Sequence, residues 1–279
     1  MAGRELTSLR SPRVKAARRL AKRAFRRREN RFLAEGPQAV REALRIPGGL
    51  AELFTTAEAE TRHPELVGAA ERAGVPVLRV SGEIMAELAQ TVTPQGLLAV
   101  CEFVDVPLAG ALESGPRLVT VLAHVRDPGN AGTVLRAADA AGADAVIFSD
   151  ASVDPYNGKC VRASAGSLFH LPVAALSEQG MRLPAAIAEL RAAGLRVIAA
   201  DGRSGLTLDD PAARELLAEP TAWLFGNEAW GLPDELLALA DESVAVPIYG
   251  RAESLNLATA AAVCLYASAS ALHPRVAGA

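Results

Sequence analysis

Short apolar runs alternate along this chain with longer stretches whose apolar residues recur every three or four positions. The first third predicts a basic helix over 12–29, with Val14, Ala17, Leu20, Ala21 and Ala24 on one face. A strand follows at 32–34, then a helix opened by Pro37 that runs to about Leu44. Pro47-Gly48-Gly49 breaks the chain. Beyond it the pattern predicts a strand at 51–55, a helix at 63–73, a strand at 75–80, a helix at 83–89 and a strand at 97–103. Residues 105–116 carry Pro107 and Gly115-Pro116 and read as a linker, so the expected domains are 1–104 and 117–279. In the second domain strands are expected at 118–122, 145–149, 168–171, 195–200, 221–225 and 243–246. Helices are expected near 131–141, 156–163, 183–193, 210–218, 233–240 and 254–270. Apolar strands separated by helices imply a mostly parallel sheet covered on both faces, an α/β fold.

Composition adds limits. The chain has 279 residues, half of them hydrophobic, and no apolar run approaches the length of a membrane span. The amino terminus is rich in arginine and lacks the apolar core of a signal peptide. Cys101, Cys160 and Cys264 are far apart and odd in number, as expected of core residues in a reducing cytoplasm. Net charge is −3, yet residues 1–31 hold twelve Lys or Arg against two Glu. Such a basic end on an acidic protein is a footprint for a polyanion. Arg23, Arg26, Arg27 and Arg28 are its candidate RNA contacts, and the competing reading is a solvated helix face.

The chemistry concentrates at three corners where a strand runs into a helix: Asp127–Arg136, Leu224–Leu232 and Pro247–Leu257. Each mixes glycines with uncharged polar residues, the combination an α/β protein uses to build one site at the carboxyl edge of its sheet. Gly129 and Gly132 suit a tight turn, and Asn130 is placed to cap a helix beginning at Ala131. Gly226 and Gly231 bracket Asn227 and Glu228 and would leave backbone open to a ligand. Ser254 reads as a helix cap and Asn256 as a first-turn residue. There is no P-loop, no G-x-S-x-G, no three-glycine dinucleotide fingerprint and no metal-ligand spacing among the four histidines, although His124 sits beside a corner.

The succession N-x-G-x-x-x-R (Asn130, Gly132, Arg136), G-N-E-x-x-G (Gly226–Gly231) and P-I-x-x-x-x-x-S-L-N (Pro247–Asn256) resembles the three motifs of SpoU/TrmH-type RNA 2′-O-ribose methyltransferases of the SPOUT superfamily. The likeness covers Leu118–Ala269 and includes 161–169. Arg31–Gly36 and Thr93–Val100 look like the ribosomal-protein-like substrate-binding domain that many members carry. The resemblance implies a trefoil-knotted, mostly parallel SPOUT domain behind a small α/β RNA-binding domain. It also implies a cytoplasmic homodimer that takes S-adenosylmethionine and needs no metal. Cofactor contacts would come from Phe225, Gly226, Asn227, Gly231, Ile248, Ser254 and Leu255. Asn130, Arg136, Glu228, Ser254 and Asn256 would form the catalytic set, with Arg136 and Arg162 also facing RNA. Structured RNA is the expected substrate, ribosomal ahead of transfer, with housekeeping and antibiotic-resistance roles both open. Two competing classes are a non-catalytic RNA-binding relative, disfavoured by the intact polar positions, and a dinucleotide oxidoreductase, disfavoured by the missing fingerprint.

Overall fold

A computed structural model describes residues 6–89 and 91–273, so Arg4 and Glu5 of the basic segment lie outside the described residues. The chain divides into two compact units, Met1–Val104 with Tyr156–His170, and Asp105–Pro155 with Leu171–Ala279.

In the first unit the expected basic helix is two helices, α1 (Pro12–Arg19) and α2 (Arg23–Glu29). The break is stabilised by Arg26, only 3% exposed, whose Nη1 donates to the carbonyls of Leu20 and Ala21 at 2.9 Å each. Val14, Ala17 and Leu20 are buried, as the pattern predicts. Then come β1 (Arg31–Glu35), α3 (Pro37–Ala43), β2 (Leu50–Thr55), α4 (Ala57–Arg62), α5 (Pro64–Arg72), β3 (Val77–Arg79), α6 (Gly82–Leu88) and β4 (Leu97–Glu102). The sheet runs β1-β4-β2-β3, with β4 antiparallel to both neighbours and β2 parallel to β3. Helix α4 is an addition to the expected elements; Thr56 caps it by accepting from the Ala59 N–H.

The second unit carries α7 (Leu108–Leu112) inside the expected linker. It continues with β5 (Leu118–Leu122), α8 (Pro128–Ala140) and β6 (Ala145–Phe148). Next, α9 (Gly158–Ala163) belongs to the first unit. A strand is expected at 168–171, but Ser167–Phe169 is a single 3-10 turn. Phe169 stacks on Phe32 at 5.9 Å, beside a Phe103–Tyr156 pair at 3.9 Å. Burying those rings outweighs strand formation there, and the strand forms at β7 (Val173–Ala175) instead. The unit closes with α10 (Leu183–Ala192), β8 (Arg196–Ala200), α11 (Pro211–Leu217), β9 (Thr221–Phe225), α12 (Asp234–Leu237), β10 (Glu242–Val244) and α13 (Leu257–Leu272).

All pairings in its six-stranded sheet are parallel, in the order β10-β8-β9-β5-β6-β7. Strands β5 and β9 are buried along their whole length, and α13 packs on α8, α11 and β9. Trp223 fixes α13 to the sheet, its indole N–H donating to Ser268 Oγ at 2.8 Å inside the core. Strand order reverses between β5 and β9, so their carboxyl ends open at a switch point.

Candidate functional site

At the carboxyl end of β5, Asp127 caps α8 by accepting from the Asn130 N–H at 2.8 Å. Asn130 is therefore inside the first turn and not the cap. Gly129 and Gly132 are helical, with Pro128 at the first position. Freed from capping, the Asn130 side chain turns outward. Its Nδ2 donates to Glu228 Oε1 at 3.2 Å, and its Oδ1 accepts from Asn256 Nδ2 at 3.1 Å. Glu228 also accepts from the backbone N–H groups of Asp127 at 3.2 Å and Arg126 at 3.4 Å. Asn256 is the cap of α13, accepting from the N–H groups of Ala258 and Thr259. The helix starts at Leu257 accordingly, and Ser254 lies in the loop before it. One chain of side-chain hydrogen bonds thus ties the three corners together.

The loop after β9 is closed on itself. Asn227 N–H donates to Gly231 O at 2.8 Å, and Gly231 N–H to Asn227 O at 2.9 Å. Gly226 is required by this closure: a Cβ there would lie 2.4 Å from the Gly231 carbonyl carbon and 2.6 Å from the Leu232 nitrogen. Its hydrogen makes room for the chain, not for a ligand as the sequence suggests. Gly231 sits at φ +68° with open space beyond it. Asn227, 6% exposed, donates to the His124 carbonyl at 2.9 Å and accepts from Ala229 N–H. His124 holds φ 58° and contributes its carbonyl to this scaffold.

These loops enclose a cleft of about 340 Å³. Phe225, Gly226, Asn227, Gly231, Ile248, Ser254 and Leu255, the expected cofactor contacts, all line it. The sequence pattern alone missed one wall, Ala200-Asp201-Gly202 at the end of β8, although a glycine directly after an apolar strand is the signal of such a corner. Also missed was the anchor of the 247–251 loop, where the Tyr249 hydroxyl donates to Asp209 at 2.9 Å. That bond raises the Tyr249 pKa above its ordinary value. The cleft fits S-adenosylmethionine in kind. Ile248 and Leu255 present partly exposed apolar surface to an adenine, Glu253 offers a carboxylate, and open space beyond the backbone of Gly202 and Gly231 lets polar groups approach.

Arg136 is exposed on α8 and makes no hydrogen bond or ion pair among the described residues. It stands outside the Asn130–Glu228–Asn256 chain. Of the other expected RNA contacts, Arg26 is corrected: its guanidinium is buried in the turn between α1 and α2. Arg23 and Arg27 are exposed. Arg28 lies over the Phe25 ring at 4.8 Å and bonds Glu29. Arg162 faces Glu35 at 3.5 Å. All three cysteines are buried and free, and burial pushes the Cys264 thiol up to about 12. No helix among the described residues is long and apolar enough to cross a membrane.

Comparison with known proteins matches residues 117–266 to the SpoU rRNA Methylase family and residues 11–99 to the MRM3-like substrate binding domain. The chain is 36% identical over 265 residues to the 23S rRNA (guanosine(2553)-2'-O)-methyltransferase RlmP of Bacillus subtilis strain 168, covering 94% of this chain and 98% of that one. An AdoMet-bound rRNA methyltransferase from Sinorhizobium meliloti superposes with a TM-score of 0.80 at 32% identity, over 95% of this chain and 97% of that one. The SpoU methyltransferase AviRb from Streptomyces viridochromogenes, in complex with AdoMet, gives 0.78 at 27% identity, over 96% and 100%. With its motif segments joined at one cleft on a parallel sheet, this chain belongs to the SpoU rRNA methylase family.

Proposed function

We propose that the protein transfers a methyl group from S-adenosylmethionine to a ribose 2′-hydroxyl of ribosomal RNA. The observation that carries this reading is the Asn256–Asn130–Glu228 chain, which joins three family motif segments beside a cleft suited to the cofactor. When bound, the cofactor supplies a methyl activated by its sulfonium charge. The protein must then place the hydroxyl in line and help its proton leave. Glu228 already accepts three hydrogen bonds, so its first role is to hold the corners in register. The Arg136 guanidinium, unpaired among the described residues, is available to clamp a phosphate and stabilise negative charge on the 2′-oxygen. A guanidinium has five N–H donors and no acceptor, which suits it to stabilising charge and not to acting as a literal base. Water is the better proton acceptor. The ribosomal substrate is carried over from the relatives above.

The same reading includes a trefoil knot, a cytoplasmic setting and a homodimer. Support for the dimer comes from two large exposed side chains one helical turn apart on α13. Val263 and Tyr266 of α13 are 41% and 52% exposed, and the Tyr266 hydroxyl donates to the Ala140 carbonyl at the end of α8, the helix that displays Arg136. The test of function is transfer of labelled methyl to ribosomal RNA by wild type, Arg136→Ala and Arg136→Lys, with S-adenosylmethionine binding measured alongside. Both variants should bind the cofactor and lose most transfer, because a point charge does not replace a planar fork. Near-wild-type turnover in Arg136→Lys would remove the clamp from the mechanism.

A further inference from the structure

A second cavity, of about 210 Å³, lies wholly within the first unit, between the start of α3, the 91–95 loop and α9. None of its lining residues belongs to the methyl-transfer cleft. Its polar groups converge. The Glu35 side chain is 8% exposed; one carboxylate oxygen accepts from the Thr91 hydroxyl and the other faces Arg162 Nη1 at 3.5 Å. A carboxylate has about four acceptor positions, so each oxygen keeps one free. Gln95 also lines the cavity, is exposed, and its amide has no hydrogen-bond partner among the described residues. Pro37 and Val161 provide apolar wall. Ala165, on the rim, holds φ 49°, a conformation that residues other than glycine rarely keep without a local reason.

We infer that this cavity receives a guanine base extruded from the RNA substrate, with Glu35 accepting from its N1–H and N2–H and the Gln95 amide donating to O6. The inference rests on RNA being the substrate. Guanine alone among the four bases sets two N–H donors side by side with an acceptor next to them. Adenine and cytosine place a ring-nitrogen acceptor beside their amino group, which would face the carboxylate unfavourably, and uracil has a single N–H between two acceptors. The volume suits a base without its phosphates, and single-stranded bases read on their Watson–Crick edge are how proteins commonly recognise RNA sequence. With no aromatic side chain in the wall, selectivity would come from edge hydrogen bonds and not from stacking.

The test uses the full protein saturated with S-adenosylhomocysteine, so that the other cleft is filled. Ligand-observed NMR with GMP, AMP, CMP and UMP should show binding of GMP alone, and Glu35→Gln should abolish it. Because that change could loosen the Thr91 and Arg162 contacts, Gln95→Ala is the second variant; it removes no internal bond. It should raise the KM for ribosomal RNA about tenfold at unchanged cofactor affinity. The inference is overturned if the four nucleotides behave alike, or if both variants keep the wild-type KM while wild type methylates. Absence of methyl transfer to any RNA by wild type would instead remove the proposed function, and the nucleotide comparison would still decide the cavity.

Discussion

Substituting Gly226 by alanine tests whether the motif loop is built for itself or for its ligand. The new Cβ would meet three backbone atoms of the same loop at 2.4, 2.5 and 2.6 Å. Backbone cannot swing aside as a side-chain tip can, so the two strands of the loop must separate by about an ångström to restore normal contact. That displacement breaks the 2.8 and 2.9 Å pair between Asn227 and Gly231 and pulls on the Asn227 bond to the His124 carbonyl. At about 1 kcal/mol net per bond the cost is roughly 2–3 kcal/mol. If the closed loop is the binding-competent form, S-adenosylmethionine affinity should fall about 30- to 150-fold. The unfolding midpoint of the unit should drop by about 4–10 °C. Titration calorimetry and differential scanning calorimetry read the two effects. Gly250→Ala is the control, since nothing lies within 4 Å of its built Cβ, and it should change neither. Were Gly226 only making room for ligand, affinity would fall with the midpoint unchanged; that result, or wild-type affinity in Gly226→Ala, would refute the loop-closure account.

Glu228→Gln keeps shape but turns an amino group toward donors now held by a carboxylate. It should weaken cofactor binding about tenfold and loosen hydrogen exchange at Arg126 and Asp127; unchanged exchange would mean the anchor lies elsewhere. Neutralising Arg27 and Arg28 together should weaken RNA binding and flatten its salt dependence, by roughly 0.9 in log–log slope for each duplex phosphate no longer neutralised, whereas Arg26→Gln should destabilise the first unit instead. If the Arg27/Arg28 double variant keeps the wild-type salt slope, the basic helix is a solvated face. Partial burial pushes the Asp241 carboxyl up, but hydrogen bonds from Arg191 and the Val197 N–H pull it further down, to a net value below its ordinary one. Its contribution is therefore present at neutral pH and lost as the solution falls below about pH 4. Asp241→Asn should lose stability at pH 7 and show a flatter acid melt; an identical acid profile would contradict the assignment.

The buried strands were the legible part of the fold. β5 and β9 are mostly apolar, each with a single threonine, and burial on both faces leaves such runs little alternative. Legibility failed where a distant contact decides. Nothing local in Leu168-Phe169 says that these residues leave the sheet pattern so that Phe169 can stack on Phe32, more than a hundred positions earlier. Arg26, Arg27 and Arg28 are equivalent as letters. Only the break after Leu20 turns the first inward and leaves Arg27 exposed. Gly226 carried a correct signal with the wrong cause, because the atoms that exclude a Cβ belong to a residue brought close by the turn itself.

Asp127 and Asn130 show how such ambiguity bears on function. Both residue types cap helices, they stand three apart, and either could have started α8. With Asp127 as the cap, the neutral amide of Asn130 is released and can donate and accept at once. It donates to Glu228 and accepts from Asn256, which an aspartate there could not do. A carboxylate at 130 would face the carboxylate at 228 and separate the loops it now joins. The division between a charged cap and an amide linker thus gives the three motif segments one hydrogen-bonded arrangement. Their polar side chains are largely committed to that architecture, whereas the exposed guanidinium of Arg136 makes no hydrogen bond or ion pair among the described residues.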